Sequence, residues 1–155
     1  MTITTTTSST SANPGVSGMA LYVPAPRVSL DQWCGWTGAA PDKVRAVVGR
    51  SFRMCSPAEN VYTMAAAAAL RLIDAYDVDP RRIGMLALGT ESSTDNAAGA
   101  VIVKGMLDRA LQARGRPSIA RSCEVPELKH ACLGGIYALK GALRYAACDA
   151  GDRLA

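Results

Sequence analysis

The stretch Ile83-Gly84-Met85-Leu86-Ala87-Leu88 is a continuous apolar run, and it is followed by Gly89-Thr90-Glu91-Ser92. A run of this length without polar alternation is typical of a strand that is covered on both faces, as in parallel sheets. The alanine-rich segment before it, from Glu59 to about Tyr76, has high helix propensity and ends before Pro80. A long helix that leads into a doubly covered strand predicts an α/β fold.

The segments before this helix predict smaller elements. Met19–Val23 is apolar and stops at Pro24, which indicates a short strand and a turn. Ser29 is placed to cap a short helix, and another helix is predicted near Asp42–Val48. Gly49–Met54 fits either a loop or a short strand, so both alternatives remain open here.

The segments after the strand continue the alternation of helices and strands. Helices are predicted over Asn96–Gln112 and Ala131–Ala147, with a strand near Ser118–Glu124 between them and another beginning at Arg153–Ala155. The first of these helices is expected to bury five apolar residues: Val101, Val103, Met106, Leu107 and Leu111. This alternation predicts a mostly parallel sheet with flanking helices and right-handed crossovers.

The composition favours one globular domain. The chain has 155 residues, of which 49% are hydrophobic, and this is enough for a substantial core. Residues 1–13 are Thr/Ser-rich without apolar periodicity and are predicted to form a disordered tail before a domain spanning 14–155. No apolar run approaches the roughly 18 residues that cross a bilayer, and the N-terminus lacks a secretory signal pattern. A cytoplasmic location without membrane contact is therefore expected.

Charge and cysteine patterns argue against several kinds of site. The net charge of +4 comes from scattered arginines rather than from a dense basic stripe, so nucleic-acid binding is not expected. The five cysteines form an odd set without a CxxC pair, which argues against both disulfides and a metal site. Cys34, Cys55 and Cys148 are expected to be small buried residues.

Cys132 differs from these, since it lies in Leu128-Lys129-His130-Ala131-Cys132-Leu133-Gly134-Gly135 at the start of a predicted helix. Unpaired N–H groups and the positive end of the helix dipole favour a nucleophilic thiolate there. Gly134 and Gly135 leave the backbone room for a bound acyl group. His130 is an alternative proton acceptor, although side chains that are close along a turn need not face each other.

Glu91 and Cys132 are expected to share a pocket. Glu91 follows the Ile83–Leu88 strand and Cys132 follows the strand predicted at Ser118–Glu124, and sites collect at the carboxyl ends of parallel strands. A partly desolvated carboxyl group beside a cysteine-bound thioester can remove its α-proton. Taken singly, each residue is more often a solvated loop residue or a packing residue, so the ordered pair carries the prediction.

Four segments together resemble hydroxymethylglutaryl-CoA synthases in their order and spacing. They are Val16–Pro24, Pro57–Ala69, Ile83–Asp95 with its Gly-Thr-Glu-Ser core, and His130–Gly135. The resemblance covers nearly everything from residue 16 to the last residue, and it implies the N-terminal half of a thiolase-like layered fold. Family members are much longer and are built from two similar halves, so the chain is expected to be the first half only.

By this resemblance, Cys132 is the nucleophile that takes an acetyl group from an acyl-CoA or acyl carrier protein thioester, and Glu91 is the general acid/base. The acetyl enolate then adds to a β-ketoacyl thioester, and water releases the product. No metal or redox cofactor is implied, and a homodimer or a second chain supplying the other half is expected. Arg50 and Arg53 are candidate contacts for the phosphates of CoA or of the carrier arm, with exposed loop charges as the alternative.

The sequence departs from the family at several positions. Leu133 and Ile136 replace the usual aromatic and small hydroxyl residues, a short insertion at Cys123–Glu127 precedes the nucleophile, and the lysine expected soon after Asp95 is absent. The family's catalytic histidine lies in the second half and has no counterpart in this chain. His130 does not match it.

Three functions remain open on this basis. In the first, the full-length enzyme to which this half would belong condenses acetyl-CoA with acetoacetyl-CoA on the route to mevalonate. In the second, it adds an acetyl-derived carbon to a carrier-bound chain in polyketide β-branching. The altered neighbours of Cys132 slightly favour β-branching. Alternatively, the chain is a noncatalytic truncated subunit. An open sheet edge and a large apolar patch are expected to make it unstable or aggregating unless a second polypeptide covers them.

Overall fold

The structure is a computed structural model that describes residues 13–96 and 98–155, so residues 1–12 of the predicted tail lie outside the described part. The chain is an α/β protein, and none of the described helices is both long enough and apolar enough to cross a membrane. Its elements in chain order are β1 (Arg27–Ser29), α1 (Leu30–Thr37), α2 (Pro41–Val48), β2 (Ser51–Arg53), α3 (Val61–Ala75), a short 3-10 helix (Pro80–Arg82), β3 (Leu88–Gly89), α4 (Gly99–Ala113), β4 (Glu127–Leu128), a 3-10 turn (Ala131–Leu133) and α5 (Gly134–Cys148).

The apolar segment that ends in β3 is paired in parallel on both of its sides. Ile83 bridges Leu154 on one side, and Met85 bridges Glu124 on the other. Further along, β3 pairs with β4 in parallel. The bridge at Leu154 agrees with the strand that the sequence predicts to begin at Arg153–Ala155.

The predicted mostly parallel sheet is not confirmed, because this pairing is short and interrupted. The Glu124 N–H donates to the Gly84 carbonyl and the Leu86 N–H donates to the Glu124 carbonyl, both at 2.8 Å. Pro126 then has no N–H with which to continue the ladder. The Leu88 N–H resumes it by donating to the Pro126 carbonyl at 2.9 Å. A single proline therefore divides what would otherwise be one longer strand pair.

The strands predicted at Ser118–Glu124 and Met19–Val23 are wrong, because backbone groups in these segments bind side chains instead of a neighbouring strand. Within Ser118–Glu124, the Ile119 N–H donates to the Asp108 carboxylate at 2.8 Å, and only the last residue joins the parallel pairing. Met19–Val23 is outside the assigned strands, and the Leu21 carbonyl instead accepts a hydrogen bond from the Arg71 guanidinium at 2.8 Å.

β1 and β2 form an antiparallel ribbon in which Val28 pairs with Phe52. This pairing decides between the two alternatives for Gly49–Met54 in favour of a short strand. Ser29 ends β1 and caps α1, because its hydroxyl accepts a hydrogen bond from the Gln32 N–H at 3.4 Å. The cap was predicted from the sequence and is confirmed.

α3 and α4 pack against each other and contribute most of the core. The buried cluster contains seven residues: Ala66, Ile73, Val103, Leu107, Leu111, Ile119 and Cys123. Ala65 and Ala69 of the α3 alanine run pack against this cluster. Val101 is an exception to the predicted inner face, since its side chain is 55% exposed. It lies two residues from Val103, which places it on the opposite face of the helix.

Asn60 caps α3, and its removal is expected to destabilise the chain. The Asn60 side-chain carbonyl accepts from the Tyr62 N–H at 3.0 Å and from the Thr63 N–H at 2.9 Å, while the Thr63 hydroxyl accepts from the Asn60 N–H at 2.9 Å. Asn60→Ala leaves helix donors unpaired and is expected to lower the free energy of unfolding by about 1 kcal/mol in urea titrations. Asn60→Asp keeps the acceptor and serves as the control; equal losses in both variants would contradict the capping role.

Candidate active site

The start of α5 lies directly against the end of β3. A Cβ atom on Gly89 would lie 2.3 Å from the Gly134 carbonyl oxygen and 2.5 Å from the Gly135 nitrogen. A Cβ atom on Gly134 would lie 2.7 Å from the Leu128 carbonyl oxygen and 3.1 Å from the Thr90 nitrogen. All four neighbours are backbone atoms, which cannot rotate away. The junction of β3, β4 and α5 therefore requires glycine at both positions.

This junction brings the two predicted catalytic segments to one corner of the molecule. Glu91 follows Gly89 by two residues, and Cys132 precedes Gly134 by two residues. Both segments leave the carboxyl ends of β3 and β4, as expected for a site on parallel strands. Both residues are exposed, so the described part of the chain does not itself provide the partly desolvated surroundings that the sequence led us to expect for Glu91.

Cys132 lies in a 3-10 turn that runs into α5, so the helix begins at Gly134 rather than at the predicted Ala131. The Leu133 N–H closes the turn by donating to the His130 carbonyl at 2.9 Å. Ala131 has a φ of 39°, a left-handed conformation that costs a non-glycine residue on the order of 1 kcal/mol or more. Strained residues of this kind cluster at active sites, which favours a functional role for the exposed thiol that follows.

The other four cysteines lack this combination of features. Cys34 and Cys123 are buried, and burial raises the pKa of the Cys123 thiol, which keeps it protonated. Cys55 and Cys148 are exposed, so the expectation that they are small buried residues is wrong. Cys148 is the last residue of α5 and therefore lies at the negative end of the helix dipole. Among the five, Cys132 alone is both exposed and next to the start of a long helix.

Asp95 anchors the far end of the loop that carries Glu91. Its carboxylate accepts hydrogen bonds from the Tyr62 hydroxyl and the Ala98 N–H, and its carbonyl accepts one from the Lys129 ammonium. The hydrogen bond from Tyr62 is the main cause that holds the pKa of Asp95 below its ordinary value. Because Lys129 precedes Cys132 by three residues, this contact also ties the Glu91 loop to the Cys132 segment.

Glu127, the first residue of β4, provides a second anchor for the same loop. Its side chain is 0% exposed. One carboxylate oxygen accepts from the Ser93 hydroxyl at 2.6 Å, and the other accepts from the Gly99 N–H at 2.6 Å. The sequence-based prediction did not include Glu127, which lies after the strand predicted at Ser118–Glu124 and whose partners Ser93 and Gly99 are distant in sequence.

Arg50 and Arg53 are exposed at the β1–β2 ribbon, which is separate in sequence from the β3, β4 and α5 junction. The Arg53 guanidinium donates to the Ala25 carbonyl at 2.6 Å, so part of its hydrogen-bonding capacity serves the ribbon itself. His130 is also exposed, and its ring lies 5.0 Å from that of Tyr137 between centroids. His130, Tyr137 and Leu128 line a shallow hollow of about 240 Å³ next to the Cys132 turn.

Known proteins match this chain over nearly its whole length. A family model described as hydroxymethylglutaryl-coenzyme A synthase N terminal matches residues 10–154. The hydroxymethylglutaryl coenzyme A synthase of Fusarium sp is 31% identical over 134 residues, which cover 86% of this chain and 28% of that protein. The structure of MvaS in complex with 3-hydroxy-3-methylglutaryl coenzyme A has 34% identity and a TM-score of 0.74, covering 91% of this chain and 32% of that one.

A second structure, the HMG synthase of the curacin biosynthetic pathway, shares the fold at a TM-score of 0.66 and 23% identity, covering 84% of this chain and 30% of that one. The chain thus spans about a third or less of the length of these proteins. The predicted likeness to the N-terminal region of one family is confirmed by the family model, which covers more than half of the chain. The chain belongs to the hydroxymethylglutaryl-coenzyme A synthase family.

Proposed function

We propose that this chain carries the acyl-accepting part of a condensing active site, with Cys132 as the nucleophile and Glu91 as the general acid/base. The observation that carries the proposal is the backbone contact between Gly89 and Gly134, which brings the Glu91 loop and the Cys132 turn to one corner. The strained φ of Ala131 and the start of α5 beside the thiol support the same assignment.

The chemistry follows from the positions of these groups. The Cys132 thiolate attacks the carbonyl of an acetyl thioester, and the donor leaves as its thiol after taking up the proton that Cys132 released. The Glu91 carboxylate then removes a proton from the acetyl methyl group, the enolate adds to the β-carbonyl of a β-ketoacyl thioester, and the alkoxide that forms takes up a proton to give the alcohol. Backbone N–H groups in the first turn of α5 can stabilise the negative charge on the acyl oxygen. Water finally releases the product from the cysteine.

Two acceptors fit this chemistry. The likeness to an MvaS structure that holds 3-hydroxy-3-methylglutaryl coenzyme A favours a CoA thioester and the mevalonate reaction. Leu133 and Ile136 are 48% and 62% exposed beside Cys132, and they favour a different acceptor, such as a carrier-bound chain in polyketide β-branching. Arg50 and Arg53 are proposed to contact the phosphates of either carrier.

The exposed apolar face of α5 supports the proposal that a partner covers this part of the chain. Ile136 and Leu139 lie on this face, and with Leu143 and Pro14 they line an apolar groove of about 400 Å³. An apolar surface of this kind on a helix beside the proposed site is typical of an interface. We propose a second copy or a second polypeptide with the remaining half of the fold as the partner, and aggregation of the chain alone would agree with this.

Mass measurement of the intact chain after incubation with acetyl-CoA or with acetylated carrier protein tests the function. The expected result is the mass of one added acetyl group, mapped by proteolysis to the peptide that contains Cys132. Preference for the carrier donor would favour β-branching, and preference for acetyl-CoA would favour the mevalonate reaction. Folded protein that gains no acetyl group from either donor would contradict the assignment of Cys132 as the nucleophile.

Glu91→Gln is expected to separate the two half-reactions. The variant should accept an acetyl group at the rate of the unchanged chain, but exchange of the acetyl methyl protons in D₂O should slow by about 100-fold or more, since the amide is not a base. Mass spectrometry of the acetylated Cys132 peptide measures this exchange. Glu124→Gln, which alters an exposed carboxylate at the Met85 bridge, before the carboxyl ends of the strands, is the matched control. Unchanged methyl exchange in Glu91→Gln would show that another group is the base.

A further inference from the structure

The side chain of Glu127 has no exposed area, whereas two other carboxylates in ion pairs of the described residues, Asp108 and Asp74, are 21% and 44% exposed. A charged carboxylate inside a protein is costly unless hydrogen bonds and positive charge compensate for the lost water. The Ser93 hydroxyl and the Gly99 N–H supply two hydrogen bonds at 2.6 Å each. The positive end of the α4 dipole and the Lys129 ammonium, 4.0 Å away, supply the compensating charge.

The position of Glu127 in the chain gives these contacts a consequence for the site. Glu127 pairs with Leu88 across β3 and β4, and it precedes Cys132 by five residues. Its partner Ser93 follows Glu91 by two residues. The hydrogen bond between Ser93 and Glu127 therefore joins the loop of the proposed base to the strand that leads to the proposed nucleophile.

The space that the Glu127 carboxylate occupies depends on the small size of a neighbouring residue. A Cβ atom on Gly99 would lie 2.9 Å from the Glu127 Oε2 atom, so glycine at this position leaves the space that the carboxylate occupies. The Gly99 N–H is the first amide of α4, and no side chain of the preceding residue caps it. Glu127 thus takes the place of a local helix cap, and it does so from a distant part of the chain.

We propose that Glu127 is a positioning residue, whose buried carboxylate holds the Glu91 loop in place against the Cys132 segment by binding Ser93 and the start of α4. The inference rests on the proposed function, in which Glu91 must reach the methyl group of an acetyl thioester on Cys132. Glu127 does not touch the acyl group. It acts through the loop.

Ser93→Ala and Glu127→Ala, singly and together, test this role in the whole chain. Ser93→Ala removes the link to the loop and leaves the contact between Glu127 and Gly99 in place. We expect it to slow methyl proton exchange on acetylated Cys132 by about tenfold or more, since small misplacements of a catalytic group have large effects on rate. Acetyl transfer to Cys132 should stay within about twofold, because it does not require Glu91. The Glu124→Gln variant should change neither rate.

The double variant distinguishes positioning from simple stabilisation. If Ser93 and Glu127 act through their shared hydrogen bond, the double variant should exchange no more slowly than Glu127→Ala alone. Glu127→Gln should recover part of the rate, because its amide can still accept from the Gly99 N–H and donate to the Ser93 hydroxyl. The proposal would be overturned if the losses of exchange rate in the two single variants added up in the double variant. It would also be overturned if acetyl transfer and methyl proton exchange slowed equally, in proportion to the fall in melting temperature. If Glu127→Ala does not fold, Ser93→Ala carries the test.

Backbone amide exchange separates failure of this inference from failure of the proposed function. If the unchanged chain accepts no acetyl group, the proposed function fails, but the positioning of the loop is still measurable. Faster exchange over residues 90–96 in Ser93→Ala than in Glu124→Gln, at equal melting temperature, would support positioning by Glu127. Equal protection of this loop in both variants would overturn it.

Discussion

Cys132→Ser is expected to abolish acetyl transfer to this chain, with a decrease in rate on the order of 10³-fold or more. The serine hydroxyl is similar in size to the thiol but is a much weaker nucleophile toward a thioester. Cys132 is exposed, and the substitution should therefore leave the free energy of unfolding nearly unchanged. Intact mass after incubation with either acetyl donor measures the loss, and the melting temperature confirms the fold.

Cys148→Ser is the matched control for this experiment. Cys148 is also exposed and belongs to the same helix, but it lies at the C-terminal end, away from the unpaired N–H groups of the first turn. Its replacement should leave acetyl transfer unchanged. An adduct that persists in Cys132→Ser, or that maps to Cys148 or Cys55 in the unchanged chain, would show that exposure of a thiol is enough and that the helix start has no role.

The helices of this fold could be predicted from sequence because their signals are local. The spacing of Val103, Leu107 and Leu111 places three buried side chains on one helix face, and all three are in the core. The alanine run predicted α3, which spans Val61–Ala75. Helix starts were less accurate, and α5 begins three residues later than expected because the turn with Cys132 precedes it.

The strands could not be predicted as well, because pairing depends on distant partners. Met19–Val23 is as apolar as many strands, yet it lies outside the assigned ones. The position of Pro126 decides where the ladder beside β3 is broken. This effect can be seen only when the ladder hydrogen bonds of Glu124 and Leu88, on either side of the break, are known. The same limit applies to β4, which is two residues long and lies after the strand that was predicted.

The candidate site shows the same difference between local signals and contacts with distant residues. Cys132 and Glu91 were predicted from the types of residue around them, and the structure brings their segments, though not their roles, together at the glycine junction. The anchors were missed because each joins residues more than thirty positions apart: Ser93 with Glu127, Tyr62 with Asp95, and Lys129 with Asp95. Nothing in the local sequence marks a serine or a tyrosine for such a contact.

Gly89→Ala is expected to destabilise the chain and to impair the site together. The added Cβ atom would meet the Gly134 carbonyl oxygen at 2.3 Å and the Gly135 nitrogen at 2.5 Å, and these backbone atoms can yield only if α5 moves as a unit. We expect the free energy of unfolding to fall by about 3 kcal/mol, at the upper end of overpacking effects. Any protein that remains folded should show slower methyl proton exchange, because the Cys132 turn moves with α5 away from Glu91.

Gly105→Ala controls for the change from glycine to alanine. Gly105 is exposed within α4, and a Cβ atom there meets nothing within 4 Å. This variant is expected to raise the free energy of unfolding by up to about 1 kcal/mol, since alanine is the better helix former. Urea titration should therefore give shifts of opposite sign for the two variants. A neutral Gly89→Ala would mean that β3 and α5 do not meet through their backbones, and the corner shared by Glu91 and Cys132 would lose its physical basis.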